Sequence, residues 1–439
     1  MLKTAGPLIA TQYSVTLIHV VDALIAGRLG EVSLAALGPA SMMILVLVTF
    51  GLGVMGAVSA FLGQAFGAGR NEDCGKFAWQ GIWMGLAFGL ACLTLIPTAP
   101  VLFGQFFNSA PEVFPLQVDY FRISIYAVGL EMAVDAMAMF AVATRRPWLP
   151  LISAAVAVGI NALASLSLSF GWLGLAPMGL SGIAWGTVIG IGAQFLYFLL
   201  FFLNATNRNQ YGTLQAVPSS VSLRKMAAIG LPSGFQEALD LASWGVVILW
   251  LVGFFGVEHV AATTVVLRCM QLSYMPADGL GIALSMHVAK SVGAQKFRQA
   301  QRGVRETFKG LSLYSLFTAL LFFIFREPIM GLFTSDPQII EIGSRCLLVL
   351  ALIQWFDAMT VVFVNALQGV GDTVWPAIAN LVLTLVVLVL GGRLVVQFSP
   401  GSGSVGVWLV AGVYLALQGL VFWGRWRSGR WKMLELLEN

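Results

Sequence analysis

Long apolar runs separated by short polar breaks fill this chain from end to end. A membrane-spanning helix needs about 20 mostly apolar residues. Twelve stretches qualify, near 7–27, 34–64, 77–103, 118–143, 150–170, 178–202, 229–254, 260–289, 308–325, 341–366, 374–396 and 405–424. The apolar positions are continuous rather than alternating, which excludes barrel strands of about ten residues. Met1-Leu2-Lys3 could open a signal peptide, but the apolar stretch after it contains His19 and Asp22 and outruns the usual length, so it reads as a first span. The expected fold is an all-α polytopic membrane protein with twelve transmembrane helices.

Composition narrows the class further. Of 439 residues, 58% are apolar and 10% charged, whereas soluble domains carry about a quarter charged residues. Such a chain cannot cover a water-facing surface, which excludes a cytosolic enzyme, a disordered protein and a nucleic-acid binder. Cys74, Cys92, Cys269 and Cys346 lack CxxC spacing and are expected as buried small hydrophobes.

Charge sets the expected orientation. With the N-terminus cytoplasmic, eighteen Lys and Arg residues fall inside, among them Arg70, Arg145, Arg146, Arg224, Lys225, Arg298, Arg302, Arg305 and Arg425. Only Arg28, Arg122, Arg326 and Arg345 fall outside, and Arg268 and Arg393 lie within spans. This bias supports twelve spans with both termini cytoplasmic in a multi-pass membrane protein, with a bacterial inner membrane as the expected location.

An internal repeat divides the chain. A shift of 226 places Gly30 on Gly256, Ala35-Ala36 on Ala261-Ala262, Gly53 on Gly279, Ser59 on Ser285 and Gly67-Ala68 on Gly293-Ala294. It also places Phe107-Asn108-Ser109-Ala110-Pro111 on Phe333-Thr334-Ser335-Asp336-Pro337, and Pro150 on Pro376. Six spans return the chain to its starting side, so the halves are parallel repeats related by a pseudo-two-fold along the membrane normal, which predicts alternating access by rocking. The expected organisation is an N-lobe at 1–203, a cytoplasmic linker at 204–228, a C-lobe at 229–424 and a cytoplasmic tail at 425–439.

A carboxylate at membrane depth costs several kcal/mol, so each one needs a reason. The first span holds Asp22 with His19 one turn earlier, and the fourth holds Glu131 and Asp135 one turn apart. The seventh holds Glu237 and Asp240, the eighth Arg268 and Asp278, and the tenth Asp357, with Arg268 expected as a partner for one of the acids. Interhelical hydrogen bonds alone would also explain these acids. Carboxylates facing a water-filled cavity instead suit a transporter that exchanges H⁺ or Na⁺ for an organic cation, because occupancy by one cation disfavours the other. Two further motifs carry no function. Gly51-x-Gly53-x-x-Gly56 lies within an apolar span and reads as close helix packing rather than dinucleotide binding. The sequon Asn204-Ala205-Thr206 falls on the expected cytoplasmic side.

Several motifs together resemble the multidrug and toxic compound extrusion (MATE) family of the MOP flippase superfamily. They are Gly6-Pro7, Val20-Val21-Asp22-Ala23 with Ala26-Gly27-x-Leu29-Gly30, Leu34-Ala35-Ala36, Gly67-Ala68-Gly69, Pro177-x-Gly179-x-x-Gly182 and Gly230-Leu231-Pro232. The run Asp357-Ala358 through Ala366-Leu367-Gln368-Gly369-Val370-Gly371-Asp372-Thr373 completes the set, which covers nearly the whole chain. The resemblance implies a twelve-helix antiporter of two six-helix bundles that exports organic, often cationic compounds against Na⁺ or H⁺. It assigns Asp22, Asn161 and Thr187 to an N-lobe cation site that also fits Na⁺, and places Ser165 where one branch has a second acid. In the C-lobe it assigns Asp240 and Asp357, with Glu237 one turn before Asp240. Glu131 and Asp135 complete the expected substrate cavity.

The expected function is therefore secondary antiport of organic compounds or drugs, by a monomer in a lipid bilayer. No catalytic residues, nucleic acid or cofactor are expected beyond the coupling ion. Three other readings compete: a lipid-linked oligosaccharide flippase, another substrate-specific carrier of the same superfamily, and a non-transporting membrane scaffold. The acidic span charges disfavour anionic cargo, and a scaffold has no use for them.

Overall fold

The computed structural model describes residues 2–106, 110–174, 176–434 and 436–437. Within these the chain is helical, with no strand. Of the repeat motif, Phe107-Asn108-Ser109 lies outside the described residues. The first six long helices are α1 (Leu2–Leu29), α2 (Glu31–Gly67), α3 (Asn71–Gln105), α4 (Phe114–Ala143), α5 (Trp148–Phe170) and α6 (Leu180–Phe202). The second six are α7 (Ser220–Phe255), α8 (Val257–Gly293), α9 (Phe297–Gly331), α10 (Pro337–Val370), α11 (Val374–Phe398) and α12 (Gly403–Arg427). The twelve-helix fold is the one expected, as two six-helix bundles.

Eleven of the described helices are long and apolar enough to cross a membrane, and α8 falls short. It has the length, at 37 residues, but it spends positions on Glu258, Arg268, Asp278 and Lys290. Several other helices outrun their apolar stretches. The ninth was expected at 308–325 and spans Phe297–Gly331, because basic turns that hydropathy discounts continue the same helix.

By contacts the described chain divides into two compact units, Leu2–Gly234 and Phe235–Asn439, with the division falling inside α7. In the first unit α4 is central and packs on α2, α3 and α6, while α1 lies on α5. In the second, α10 is central and packs on α8, α9 and α12. The offset of 226 is visible in the backbone itself. Positive φ angles occur at Gly30 and Gly256 (119° and 114°), at Gly69 and Gln295 (76° and 56°), and at Arg145 and Gly371 (66° and 85°). Gly30 and Gly256 have the same job, turning the chain into α2 and α8 in a conformation that L-residues rarely adopt.

Small residues set how closely the helices approach, as expected where lipid leaves no hydrophobic drive between helices. Within Gly51-x-Gly53-x-x-Gly56, Gly51 packs directly on Met132, where a side chain would not fit. All four cysteines are free and buried.

The segment expected as a polar linker is ordered and shorter. It forms a helix, Ala205–Tyr211, whose cap Asn204 accepts from the Asn207 backbone at 2.8 Å. Trp79 and Trp83 of α3 then donate to the Thr213 and Ala216 carbonyls, each at 2.8 Å, and Gln80 donates to Val217 at 3.1 Å. Residues 220–228, including Arg224 and Lys225, already belong to α7. They read as linker because charged first turns of a helix look the same as loop by composition.

The second unit has its own closure. Arg425 at the end of α12 forms a two-pronged ion pair with Asp372, at 2.6 and 3.2 Å, and lies over the Trp375 ring. The side chains are 16% and 6% exposed. Removing one partner of a buried pair costs about 3–5 kcal/mol. Asp372→Asn is therefore expected to lower thermal stability clearly, and a variant that exchanges the two charges to recover part of it. Unfolding scans in detergent that show no change would place this pair among weak surface contacts.

Candidate functional site

In the first unit the site is built on a stripe of glycines. Gly182, Gly186 and Gly190 recur every four residues on α6 and meet Ser169, Ser165 and Asn161 of α5. A methyl group at Gly186 would lie 2.0 Å from Ser165 Oγ, and one at Gly190 2.9 Å from Asn161 Cβ. This close approach lets Asn161 Nδ2 donate to Thr187 Oγ1 at 3.1 Å, and Thr187 Oγ1 donate to Asp22 Oδ2 at 3.2 Å. Asp22 is 3% exposed and Asn161 1%. The outer oxygens of both residues, Asp22 Oδ1 and Asn161 Oδ1, are buried and have no hydrogen-bond partner. The three residues thus form one connected unit with two uncommitted oxygens.

Ser165 stands apart from it. Its Oγ turns to the Ile183 carbonyl at 3.5 Å, so its part is in the α5–α6 contact. Asp22 also lines a cavity of about 190 Å³ with His19, Ser41, Tyr120 and apolar Leu34 and Leu37. That volume is below the range of about 300–1,000 Å³ typical of drug-sized ligands and suits an ion with water. Glu131 and Asp135 lie one turn apart on the central α4 and are each other's electrostatic neighbours. Neither receives a hydrogen bond from a described residue, and the structure does not join them to the Asp22 group.

The second unit carries a larger polar group. Asp240 Oδ1 accepts from Asn380 Nδ2 at 3.0 Å and from Tyr414 OH at 3.2 Å. Asn380 Oδ1 in turn accepts from Tyr414 OH and Gln418 Nε2, both at 2.7 Å. Thr384 and Ser243 extend the chain at 3.4 Å each. Asn380, Thr384, Tyr414, Gln418 and Ser243 are all buried. Two backbone features adjoin the group, wide π-helical turns at Ser243–Val247 in α7 and Thr384–Gly391 in α11. Such turns interrupt the regular ladder and recur at functional positions. Glu237 accepts from Gln368 at 3.3 Å and has Asp240 and Asp278 as electrostatic neighbours. Asp357 has Asp240 as its electrostatic neighbour and no hydrogen bond among the described residues.

One expectation needs correcting. Arg268 does not pair with an acid; it is exposed and donates to Gln271 one turn on, at 3.3 Å. A guanidinium on the outer face of α8 reaches along its own helix more easily than across the bundle. Conversely, Asn380, Tyr414 and Gln418 were not singled out from the sequence. Their signal is weaker, as amide and phenol groups in strongly apolar spans, because a neutral polar residue costs less at membrane depth than a carboxylate does.

Two six-helix bundles at membrane depth, each holding partly uncommitted carboxylates, define a membrane transporter rather than an enzyme. Among the described residues no three His, Cys, Asp or Glu side chains are grouped to hold a metal. The chain belongs to the MatE family, whose profile matches residues 7–167 and 232–391, one segment in each half. It is 27% identical over 444 aligned positions to a probable multidrug resistance protein NorM of Pseudomonas aeruginosa, covering 98% of this chain and 89% of that protein. A MATE crystal structure in the bent conformation superposes with a TM-score of 0.88 at 18% identity, covering 98% of this chain and 95% of that one. A MOP superfamily transporter from Pyrococcus furiosus, reported with a binding pocket of reverse polarity that suggests a different function, superposes at 0.85 with 18% identity, covering 98% and 96%.

Proposed function

We propose that this protein is a secondary antiporter that exports organic, cationic compounds in exchange for H⁺ or Na⁺. The observation that carries the reading is the Asp22 group, a membrane-depth carboxylate with one oxygen bonded and one free. A buried charge is costly unless it is neutralised. A proton or a small cation neutralises Asp22 at its free oxygen without breaking the Thr187 bond. As a Na⁺ site the group offers Asp22, Asn161 and Thr187 oxygens with a single negative charge, a lean set for an ion that wants several oxygens and compensating charge. A proton needs only the one carboxylate, so H⁺ is the preferred partner in the N-lobe. In the C-lobe Asp240, Asp357 and Glu237 supply several acids, which suit either ion, and Glu131 and Asp135 add negative charge attractive to cationic cargo.

The acidic character of both units also weighs against the flippase alternative, since a pyrophosphate-linked cargo calls for cationic walls. The deciding test is efflux of a panel of cationic dyes from proteoliposomes, with Na⁺ and pH gradients imposed separately. Dye efflux driven by either gradient supports antiport, and efflux indifferent to both defeats it.

The proposed orientation places both termini and the 204–228 segment in the cytoplasm of a bacterial cell, in a monomer of the inner membrane. Leu214 is 63% exposed and offers a reporter position. Leu214→Cys is expected to resist a membrane-impermeant thiol reagent added outside intact cells. Ready labelling there would overturn the topology.

A further inference from the structure

The outward face of α9 changes chemistry once along its length. It begins with Arg298, Arg302, Arg305 and Lys309, whose spacing of four, three and four residues keeps them on one side of the helix. The same side continues at the same spacing with Leu313, Leu316, Leu320 and Phe323, which are 50% to 71% exposed. The opposite side, through Ala300, Val304 and Leu311, is buried. Lys309 pairs with Glu306 at 3.1 Å on the exposed surface. Arg298, Arg302 and Arg305 have no hydrogen bond or ion pair with any described residue. Arg298, in the first turn, also faces the unfavourable positive end of the helix dipole, so a nearby anion would relieve it.

The repeat shows what is unusual about this face. Shifted back by 226, Arg305 and Lys309 fall on Trp79 and Trp83. There the chain's own segment covers the surface, through the bonds to Thr213 and Ala216. In the second unit the tail docks elsewhere. Trp431 stacks on Trp426 at 4.3 Å and meets Phe297 at 5.9 Å, holding the first turn of α9 while its arginines stay uncovered.

We propose that this basic row binds the phosphate headgroups of anionic phospholipids, with their acyl chains lying along Leu313 to Phe323. Continuity with the lipid-facing apolar row favours a lipid over an acidic protein segment. Distances then grade the row. Seven residues separate Arg302 from Lys309, about 10 Å along the helix, which matches a headgroup layer of about 5–8 Å plus side-chain reach. Arg298 lies a further turn out and acts only through screened attraction within about 8 Å. Arg298 therefore contributes least.

The test uses the full-length protein in phosphatidylcholine vesicles with trace spin-labelled phosphatidylglycerol or phosphatidylcholine. The fraction of label immobilised at the protein gives the preference. The wild type is expected to prefer phosphatidylglycerol about fivefold, the effect of one well-placed basic residue at a membrane surface. That preference should fall to within about twofold in Arg298→Gln/Arg302→Gln/Arg305→Gln or in 1 M salt, where the Debye length is about 3 Å. It should survive in the triple Lys variant and in the presence of free glycerol phosphate. Dye efflux in phosphatidylcholine alone, unchanged in the Gln variant, shows that the variant is folded. Four outcomes would overturn the proposal: no preference in the wild type, which would turn attention to a soluble acidic partner; a preference retained in the Gln variant; one lost in the Lys variant; or one abolished by free glycerol phosphate.

Discussion

Replacing Asp22 with asparagine is expected to reduce ion-driven efflux about tenfold or more, with the protein still inserted and folded. The amide keeps the size of the carboxylate and its oxygen still accepts from Thr187, so the α1–α6 contact at 3.2 Å survives. What is lost is the free oxygen with its charge, because the amide nitrogen is a donor and holds neither a proton nor a cation. Asp357→Asn makes a sharper control in the second unit. Asp357 has no hydrogen bond to lose among the described residues, so a fall in efflux there reports charge and not packing. Transport by both variants at the wild-type rate would leave these acids as structural members only.

Tyr414→Phe is the second large effect. The Tyr414 hydroxyl has one proton and two acceptors in reach, Asp240 Oδ1 at 3.2 Å and Asn380 Oδ1 at 2.7 Å. While Asp240 is charged, donation to it is favoured. Once an ion neutralises Asp240, the shorter bond to Asn380 wins. Phenylalanine removes that choice, and the charged state loses a stronger, charge-assisted bond where the neutralised state loses an ordinary one. Hydrogen bonds to charged groups are worth about 1.5–3 kcal/mol, so half-maximal efflux is expected at about tenfold lower coupling-ion concentration. The companion test is Asp240→Asn with Glu237→Gln. If that double variant keeps the ion dependence of the wild type, the second unit takes no part in coupling.

The twelve spans and the repeat were legible because both rest on composition over long stretches. Helix ends were not. The basic start of α9 and the first turns of α7 carry charges that a hydropathy reading assigns to loops, although backbone hydrogen bonding takes no account of them. Asp22 was legible because an acid in an apolar run is costly, and Asn161 and Thr187 followed from family resemblance. Ser165 stands where one branch has a second acid, and a linear pattern cannot show that its hydroxyl is held in the helix contact against Gly186. Asn380 and Tyr414 escaped notice for a plainer reason. They lie 140 and 174 residues from Asp240, and no local pattern links a phenol on one helix to a carboxylate on another.

The modest hydropathy of α8 bears on how the protein is made. A nascent helix leaves the translocon for lipid by partition, and an Arg or Asp at its centre costs about 2.5–3.5 kcal/mol against a gain of about 0.3–0.6 for each Leu, Ile, Val or Phe. Arg268 and Asp278 together demand more than a dozen large apolar side chains to offset them, more than α8 has to spare between Thr263 and Leu284. The helix is therefore expected to enter the bilayer together with α10, its main packing partner. Substitutions on the faces that receive α8 will thus reveal themselves first as protein that never accumulates in the membrane, whatever their effect on the transport cycle.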